Sequence, residues 1–270
     1  MPFAEVCGIN LFYEESGQGE PLLMIPGLGM DHREYSRLAS RLEPHCRILA
    51  FDNRGAGQSD KPKGPYSVEM LAEDAAGLLD GLGVKRISVF GISFGAKIAQ
   101  MLALQRPDLV DRLILGCAYF SGAIEKVKMP PESFKAMKGP GGTKEEVARR
   151  VYSLALSEQF VRERPEVFEK LVRWRIAHPI IYRGYFGQLK AILAFDIEDR
   201  VGTISNDTLI LHGSEDRIVP VERAHELQAA LRSSKVEILE GAGHLFFIEQ
   251  PERTAELMVE FLGSRDRSEG

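Results

Sequence analysis

Ile87-Ser88-Val89-Phe90-Gly91-Ile92-Ser93-Phe94-Gly95-Ala96 joins an apolar run, a G-x-S-x-G pentapeptide and the start of a helical pattern. The bare pentapeptide arises by chance in chains this rich in glycine and serine, so its setting decides the reading. Here it follows a buried-strand pattern and precedes a helix beginning near Ala96, which is the setting a strained strand-to-helix turn requires. Side chains two residues either side of the serine would collide in such a turn, hence Gly91 and Gly95. The turn lifts the Ser93 hydroxyl to the carboxyl end of a sheet, and the helix start behind it favours developing negative charge.

Similar apolar runs flank this one. Pro21–Ile25, Arg47–Phe51, Leu113–Leu115, Thr208–Leu211 and Val236–Leu239 read as strands buried on both faces. Residues from about 3 to 15 predict an antiparallel edge with a turn at Gly8-Ile9-Asn10. Leu71, Ala75, Leu78 and Leu82 share a helical face ending at Gly83, Ile98, Met101, Leu102 and Gln105 another stopped by Pro107, and Leu257, Met258, Phe261 and Leu262 a third. Alternating strand and helix predicts right-handed βαβ units and a mostly parallel, doubly wound α/β sheet.

The rhythm breaks from about 119 to 205, a stretch too long for one loop. Thr143-Lys144-Glu145-Glu146 predicts a capping box. A second helix starts at Pro165 with Val167, Leu171, Trp174 and His178 on one face and ends before Pro179. Tyr182, Tyr185, Phe186, Leu189 and Leu193 mark a third. The expected organisation is a core of residues 1–118 and 206–270 with an inserted helical cap, 119–205, containing a mobile Gly139-Pro140-Gly141-Gly142 loop. A polar tail follows Gly263.

A serine hydroxyl needs a base to take its proton, and the base needs an acid to fix its tautomer. His212-Gly213-Ser214-Glu215-Asp216 leaves a strand at the same sheet edge as Ser93, and Gly241-Ala242-Gly243-His244 leaves the next one. Of the six histidines only His244 sits in a glycine-rich loop between a strand and a helix. His212 is expected to be packed or hydrogen-bonded locally, His45 and His225 to be at the surface, and His32 to cap a helix or face solvent, with a place facing the site as the alternative. His178 could reach substrate from the cap.

These segments resemble the α/β-hydrolase family over nearly the whole chain. Asp52-Asn53-Arg54-Gly55-Ala56-Gly57-Gln58-Ser59-Asp60 resembles its D-x-R-G-x-G-x-S loop, and Gly213-x-x-Asp216 and Gly243-His244 followed by Glu249-x-Pro251-Glu252 resemble its later motifs. The resemblance is to the esterase and lactonase branch. It implies Ser93 as nucleophile, His244 as base and Asp216, ahead of Glu215, as the acid. It also implies an oxyanion hole from the N–H groups of Phe94 and of Leu28 in Pro26-Gly27-Leu28-Gly29, although many relatives have His-Gly at Pro26-Gly27. Arg54 and Asp60 are expected to be structural. Leu28–Arg33 and Asp52–Gly55 are similar to 3-oxoadipate enol-lactonase relatives.

The bulk composition agrees. The chain has 270 residues, 44% of them hydrophobic, and a net charge of −5. No basic run marks a nucleic-acid face, and a mildly acidic surface disfavours anionic membranes. No apolar run approaches the ~18 residues that span a bilayer. The start has no secretory pattern, and Cys7, Cys46 and Cys117 are odd in number and dispersed, so a cytoplasmic protein with free thiols is expected. There is no H-E-x-x-H, paired CxxC, EF-hand, Walker A or dinucleotide pattern, so neither a metal nor an organic cofactor is expected.

Serine at the turn, not aspartate, argues against dehalogenase or epoxide-hydrolase chemistry. Tyr119, Phe120, Tyr152, Trp174, Tyr182, Tyr185 and Phe186 are expected mostly to pack the cap onto the core, a few of them walling an apolar pocket. Gly27, Tyr119, Trp174, His178 and Leu245 are the candidate substrate contacts. The expected substrate is a small to medium carboxylic ester or lactone. Carbon–carbon bond hydrolysis and cofactor-free perhydrolysis use the same triad and remain open, as does a receptor that binds without turnover. An apolar cap patch could support a homodimer.

Overall fold

Every residue of the strand β5 (Ile87–Ile92) is buried, as its apolar run predicts. The computed structural model describes residues 2–138 and 141–264; Gly139, Pro140 and the tail beyond Ser264 lie outside the described residues. In chain order the elements are β1 (Phe3–Val6), β2 (Ile9–Gly17), β3 (Glu20–Ile25), α1 (Ser36–Leu42), β4 (Cys46–Phe51), α2 (Val68–Gly81), β5, α3 (Phe94–Gln105) and β6 (Val110–Gly116). Then come α4 (Ile124–Val127), α5 (Pro131–Lys138), α6 (Lys144–Ala155), α7 (Glu158–Glu163), α8 (Pro165–Ala177) and α9 (Tyr182–Ala194). The chain returns through β7 (Thr208–Gly213), α10 (Glu222–Ala230), β8 (Ser234–Leu239), α11 (Phe246–Glu249) and α12 (Pro251–Gly263).

The eight strands form one sheet in the order β1-β2-β4-β3-β5-β6-β7-β8. β1, β2 and β4 pair antiparallel, and every pair from β4 to β8 is parallel. Apolar side chains pack on both faces, Leu71, Ala75 and Leu78 on one and Phe246, Leu257 and Met258 on the other. The first hairpin turns at Cys7-Gly8, both at positive φ, rather than at Gly8-Ile9-Asn10, and Val6 pairs directly with Ile9. Two residues of that conformation match the twist of the strands they join. Among the described residues no helix is long and apolar enough to cross a membrane.

The stretch between β6 and β7 is helical. Its two arms are tied by an isolated antiparallel bridge between Ser121 and Asp196, backed by Ile197 N–H to the Phe120 carbonyl at 3.0 Å. The capping box forms as predicted: Glu146 N–H donates to Thr143 Oγ1 at 3.2 Å and Thr143 N–H to Glu146 Oε2 at 2.6 Å. The short helices α4, α5 and α7 escaped the periodicity reading. α8 begins at Pro165, but its buried face is Phe168, Val172 and Arg175, one position away from the predicted Val167, Leu171, Trp174 and His178. Tyr182, Phe186 and Leu193 on α9 are exposed instead of packing, because Gly184, Gln188, Leu189 and Ala191 form its buried side.

Candidate active site

At the end of β5 the backbone of Ser93 takes φ 53° and ψ −109°, a conformation a non-glycine residue holds only under constraint. The constraint is visible on both sides. A Cβ on Gly91 would lie 2.3 Å from the Gly95 carbonyl, and one on Gly95 would lie 2.0 Å from the Ile25 carbonyl. Glycine at both places lets α3 start against β3 and β5, and it starts at Phe94, two residues earlier than the sequence pattern places it. Gly95→Ala is therefore expected to cost soluble yield and to lower the melting temperature by more than any surface change; a melting curve like that of wild type would show that the turn can relax.

The loop after β7 and the loop after β8 meet because Gly213 has no side chain: a Cβ there would lie 2.2 Å from the Gly243 carbonyl. Across that contact His244 Nδ1 stands 2.7 Å from Asp216 Oδ2. The other carboxylate oxygen, Oδ1, accepts the N–H groups of Ile218 at 2.7 Å and Val219 at 3.0 Å. Burial alone would raise the Asp216 pKa, but His244 and His212 outweigh it and hold the carboxyl well below the usual range. An ionised carboxylate only accepts, so Nδ1 of His244 carries the proton. Glu215 is exposed while Asp216 is buried. His212 is locally bonded as expected, its Nε2 2.8 Å from the Val219 carbonyl, and it also lies 3.3 Å from Asp216 Oδ2.

Ser93 and His244 line adjoining cavities that share Leu28 and Met137. Among the described residues no hydrogen bond joins the serine hydroxyl to the imidazole. Phe94 and Tyr119 line the cavity with Ser93, and Leu245 the one with His244. Gly27 packs against Ile92, and its carbonyl accepts Met30 N–H at 3.2 Å, which fixes the peptide plane carrying the Leu28 N–H. Trp174 and His178 are not brought to either cavity. They stack on each other, ring centroids 5.0 Å apart, and line separate depressions, because the buried face of α8 turns them away. Tyr119 spends its hydroxyl on Glu226, 2.9 Å away.

Cys117 is buried beside this pair. Its thiol donates to the His244 carbonyl at 3.3 Å, and burial, followed by Asp216, pushes its pKa well up. Cys46 is also buried and Cys7 exposed, and all three thiols are free. Arg54 is held by Asp74 and Asp60 by Asn10, away from both cavities, as expected of structural residues. His32 neither caps nor faces solvent: it is buried, with Nδ1 2.8 Å from Asp52 Oδ1.

Several residues position the site in ways the sequence did not announce, although Glu249 belongs to a motif already noted. Glu249 accepts Gly243 N–H at 2.9 Å and Ser157 N–H at 3.0 Å, joining the His244 loop to the start of α7. Arg175 is buried, with Nη2 2.8 Å from Glu34 Oε1, and it donates through Nη1 to the Gly29 carbonyl at 3.1 Å. Gly29 N–H donates to Gln188 Oε1 at 3.0 Å, while Gln188 Nε2 donates to the Arg54 carbonyl at 2.8 Å. The loop carrying Leu28 is thus gripped from α8 and from α9.

The Glu34–Arg175 pair makes an asymmetric prediction. A guanidinium cannot shed its charge, whereas a buried carboxyl can take up a proton. Glu34→Gln strands the arginine and is expected to cost about 3–5 kcal/mol. Arg175→Met should cost clearly less. Urea unfolding of both variants decides the matter, and equal losses would count against the pair as described.

The sheet order and the strained serine turn at its carboxyl edge are those of a doubly wound hydrolase fold. Residues 20–251 match the α/β hydrolase fold family, and the chain belongs to it. Among solved structures it is similar to the enol-lactonase from Burkholderia xenovorans LB400, with 26% identity and a TM-score of 0.86 over 97% of this chain and 100% of that one. It is also similar to a thermophilic esterase from Thermogutta terrifontis, with 26% identity and a TM-score of 0.83 over 97% of each chain. The 2-hydroxymuconate semialdehyde hydrolase of Pseudomonas sp. strain CF600 is 28% identical over 96% of this chain and 93% of that protein.

Proposed function

We propose that the protein is a serine hydrolase that cleaves a small to medium carboxylic ester or lactone through an acyl-enzyme. The observation that carries this reading is the buried Asp216–His244 contact facing the same cavity system as the strained Ser93 turn. With Nδ1 held by Asp216, His244 keeps Nε2 to receive the serine proton. Ser93 lines the adjoining cavity, and contacts between a nucleophile and its base often tighten once substrate is bound. Ser93 attacks the carbonyl, and the N–H groups of Leu28 and Phe94 receive the oxyanion. Phe94 opens α3, so its N–H has no acceptor within the helix. His244 then protonates the leaving alkoxide, and water repeats the sequence on the acyl-enzyme.

The helices between β6 and β7 act as the cap, residues 119–205, over a core of 1–118 and 206–270. The cavities beneath them are lined by far more apolar than polar surface, which suits an acyl chain or a small ring. A panel of p-nitrophenyl esters from acetate to decanoate, with small lactones beside it, tests the reading. Turnover with a preferred chain length is expected. No turnover of any ester or lactone would reject it and favour carbon–carbon bond hydrolysis on the same triad, or binding without turnover.

A further inference from the structure

Three neighbouring strands of the sheet, β6, β7 and β8, each deliver one buried side chain to the same spot: Cys117, Asp216 and His244. The thiol sulfur, a carboxylate oxygen and a ring nitrogen all lie within 4.8 Å of one another. The thiol is fixed there from two sides. Its backbone is held at φ 46° with the N–H donated to the Leu211 carbonyl at 2.9 Å, and Sγ donates to the His244 carbonyl at 3.3 Å. Cys117 also lines the cavity with Ser93, which gives the cluster a way in from the substrate side. Hydrolysis as proposed assigns this sulfur no step.

Sulfur, imidazole and carboxylate together are the ligand set of a borderline-soft cation such as zinc, whereas magnesium and calcium take oxygen ligands. Zinc holds sulfur at ~2.3 Å and nitrogen or oxygen at ~2.0–2.2 Å in a tetrahedron, so its ligands stand roughly 3.3–3.6 Å apart. The 2.7 Å contact between Nδ1 and Asp216 Oδ2 has to open by less than about 1 Å, while Oδ1 stays on Ile218 and Val219. The charges also close. The thiol gives its proton to solvent, and the thiolate and the Asp216 carboxylate then cancel the ion's double charge, so no net charge is buried. The imidazole ligates through Nδ1 in its neutral form, so its single proton moves to Nε2. Nε2 is then unable to receive the Ser93 proton. We propose that Cys117, Asp216 and His244 form an inhibitory site for zinc or a cation of similar softness, with the catalytic base itself as a ligand. The inhibition rests on the serine-hydrolase reading; the binding does not.

The experiment titrates ZnCl2 into untagged wild type, Cys117→Ala and Cys117→Ser, with MgCl2 beside it, and follows hydrolysis of the best p-nitrophenyl ester. Wild type should lose activity at micromolar zinc, regain it with EDTA and ignore magnesium. In Cys117→Ala the zinc needed for half inhibition should rise about tenfold or more, since even a lost supporting partner of a ligand costs that much. Cys117→Ser keeps nearly the shape of the thiol and serves where alanine fails to fold. Equal zinc sensitivity in wild type and the variants, or none in wild type, would overturn the proposal. Binding is read separately, by calorimetric titration with ZnCl2 and by the ultraviolet thiolate band of the cadmium complex. Proton release on zinc binding and a cadmium band that disappears in Cys117→Ala are expected. The same binding in a protein that turns over neither esters nor lactones would reject the hydrolase reading and keep the site. A band that survives the loss of Cys117 would put the ion on Cys7 or Cys46 and reject the site.

Discussion

Replacing Ser93 with alanine is expected to lower kcat on the best p-nitrophenyl ester by more than about 10⁴-fold, because it removes the only atom that can form the acyl-enzyme. The fold should survive. Alanine keeps the Cβ that the turn at φ 53° already accommodates, and the Ser93 N–H still reaches the Gly116 carbonyl at 2.7 Å. A melting temperature at or slightly above that of wild type should accompany the loss, since the hydroxyl belongs to a strained site. Activity within about tenfold of wild type, measured on protein free of contaminating esterase, would remove Ser93 from the mechanism.

Asp216→Asn should be nearly as damaging, at about 10⁴-fold in kcat with little change in KM. Its cause is different. The amide oxygen can still accept the N–H groups of Ile218 and Val219, so the loop should hold. The amide nitrogen then faces His244 Nδ1 as a donor and drives the imidazole proton to Nε2, where the serine proton has to arrive. The same substitution has a stability signature. Because the folded-state pKa of Asp216 is depressed, its interactions contribute fully above the unfolded value of about 4 and fade as the pH falls below it. The melting-temperature advantage of wild type over Asp216→Asn should therefore narrow on acidification below about pH 4. An advantage that does not change with pH would contradict an ionised Asp216.

The sheet and the serine turn were legible because their rules are local. Gly91 and Gly95 are demanded by atoms a few residues away or on the adjacent strand, and buried parallel strands announce themselves as apolar runs. Asp216 and His244 could be placed at one edge because each leaves the carboxyl end of its own strand. Most of what surrounds them could not be read. Arg175 and Gln188 are buried through partners more than a hundred positions distant, so a count of apolar spacing assigns them to the solvent side. That shifted the expected face of α8 by one residue and put Trp174 and His178 in the pocket they do not line. Lys97 follows one helical turn after the serine, and its burial left no mark on the local pattern.

The two-sided grip on the Gly29 peptide bears on how this chain could be recombined with its relatives. Exchanging residues 119–205 for the equivalent stretch of a homologue looks like a clean transplant, since the Ser121–Asp196 bridge ties the two arms of that stretch to each other. Yet that cut would carry off Arg175 and Gln188, and with them the bonds that orient the loop bearing Leu28. It would also remove Ser157, which shares Glu249 with the His244 loop. A chimera would then inherit a new pocket and a slackened catalytic edge together. On the proposed mechanism selectivity and rate would be inherited as a block, and a graft that keeps arginine and glutamine at positions 175 and 188 should retain far more turnover than one that does not.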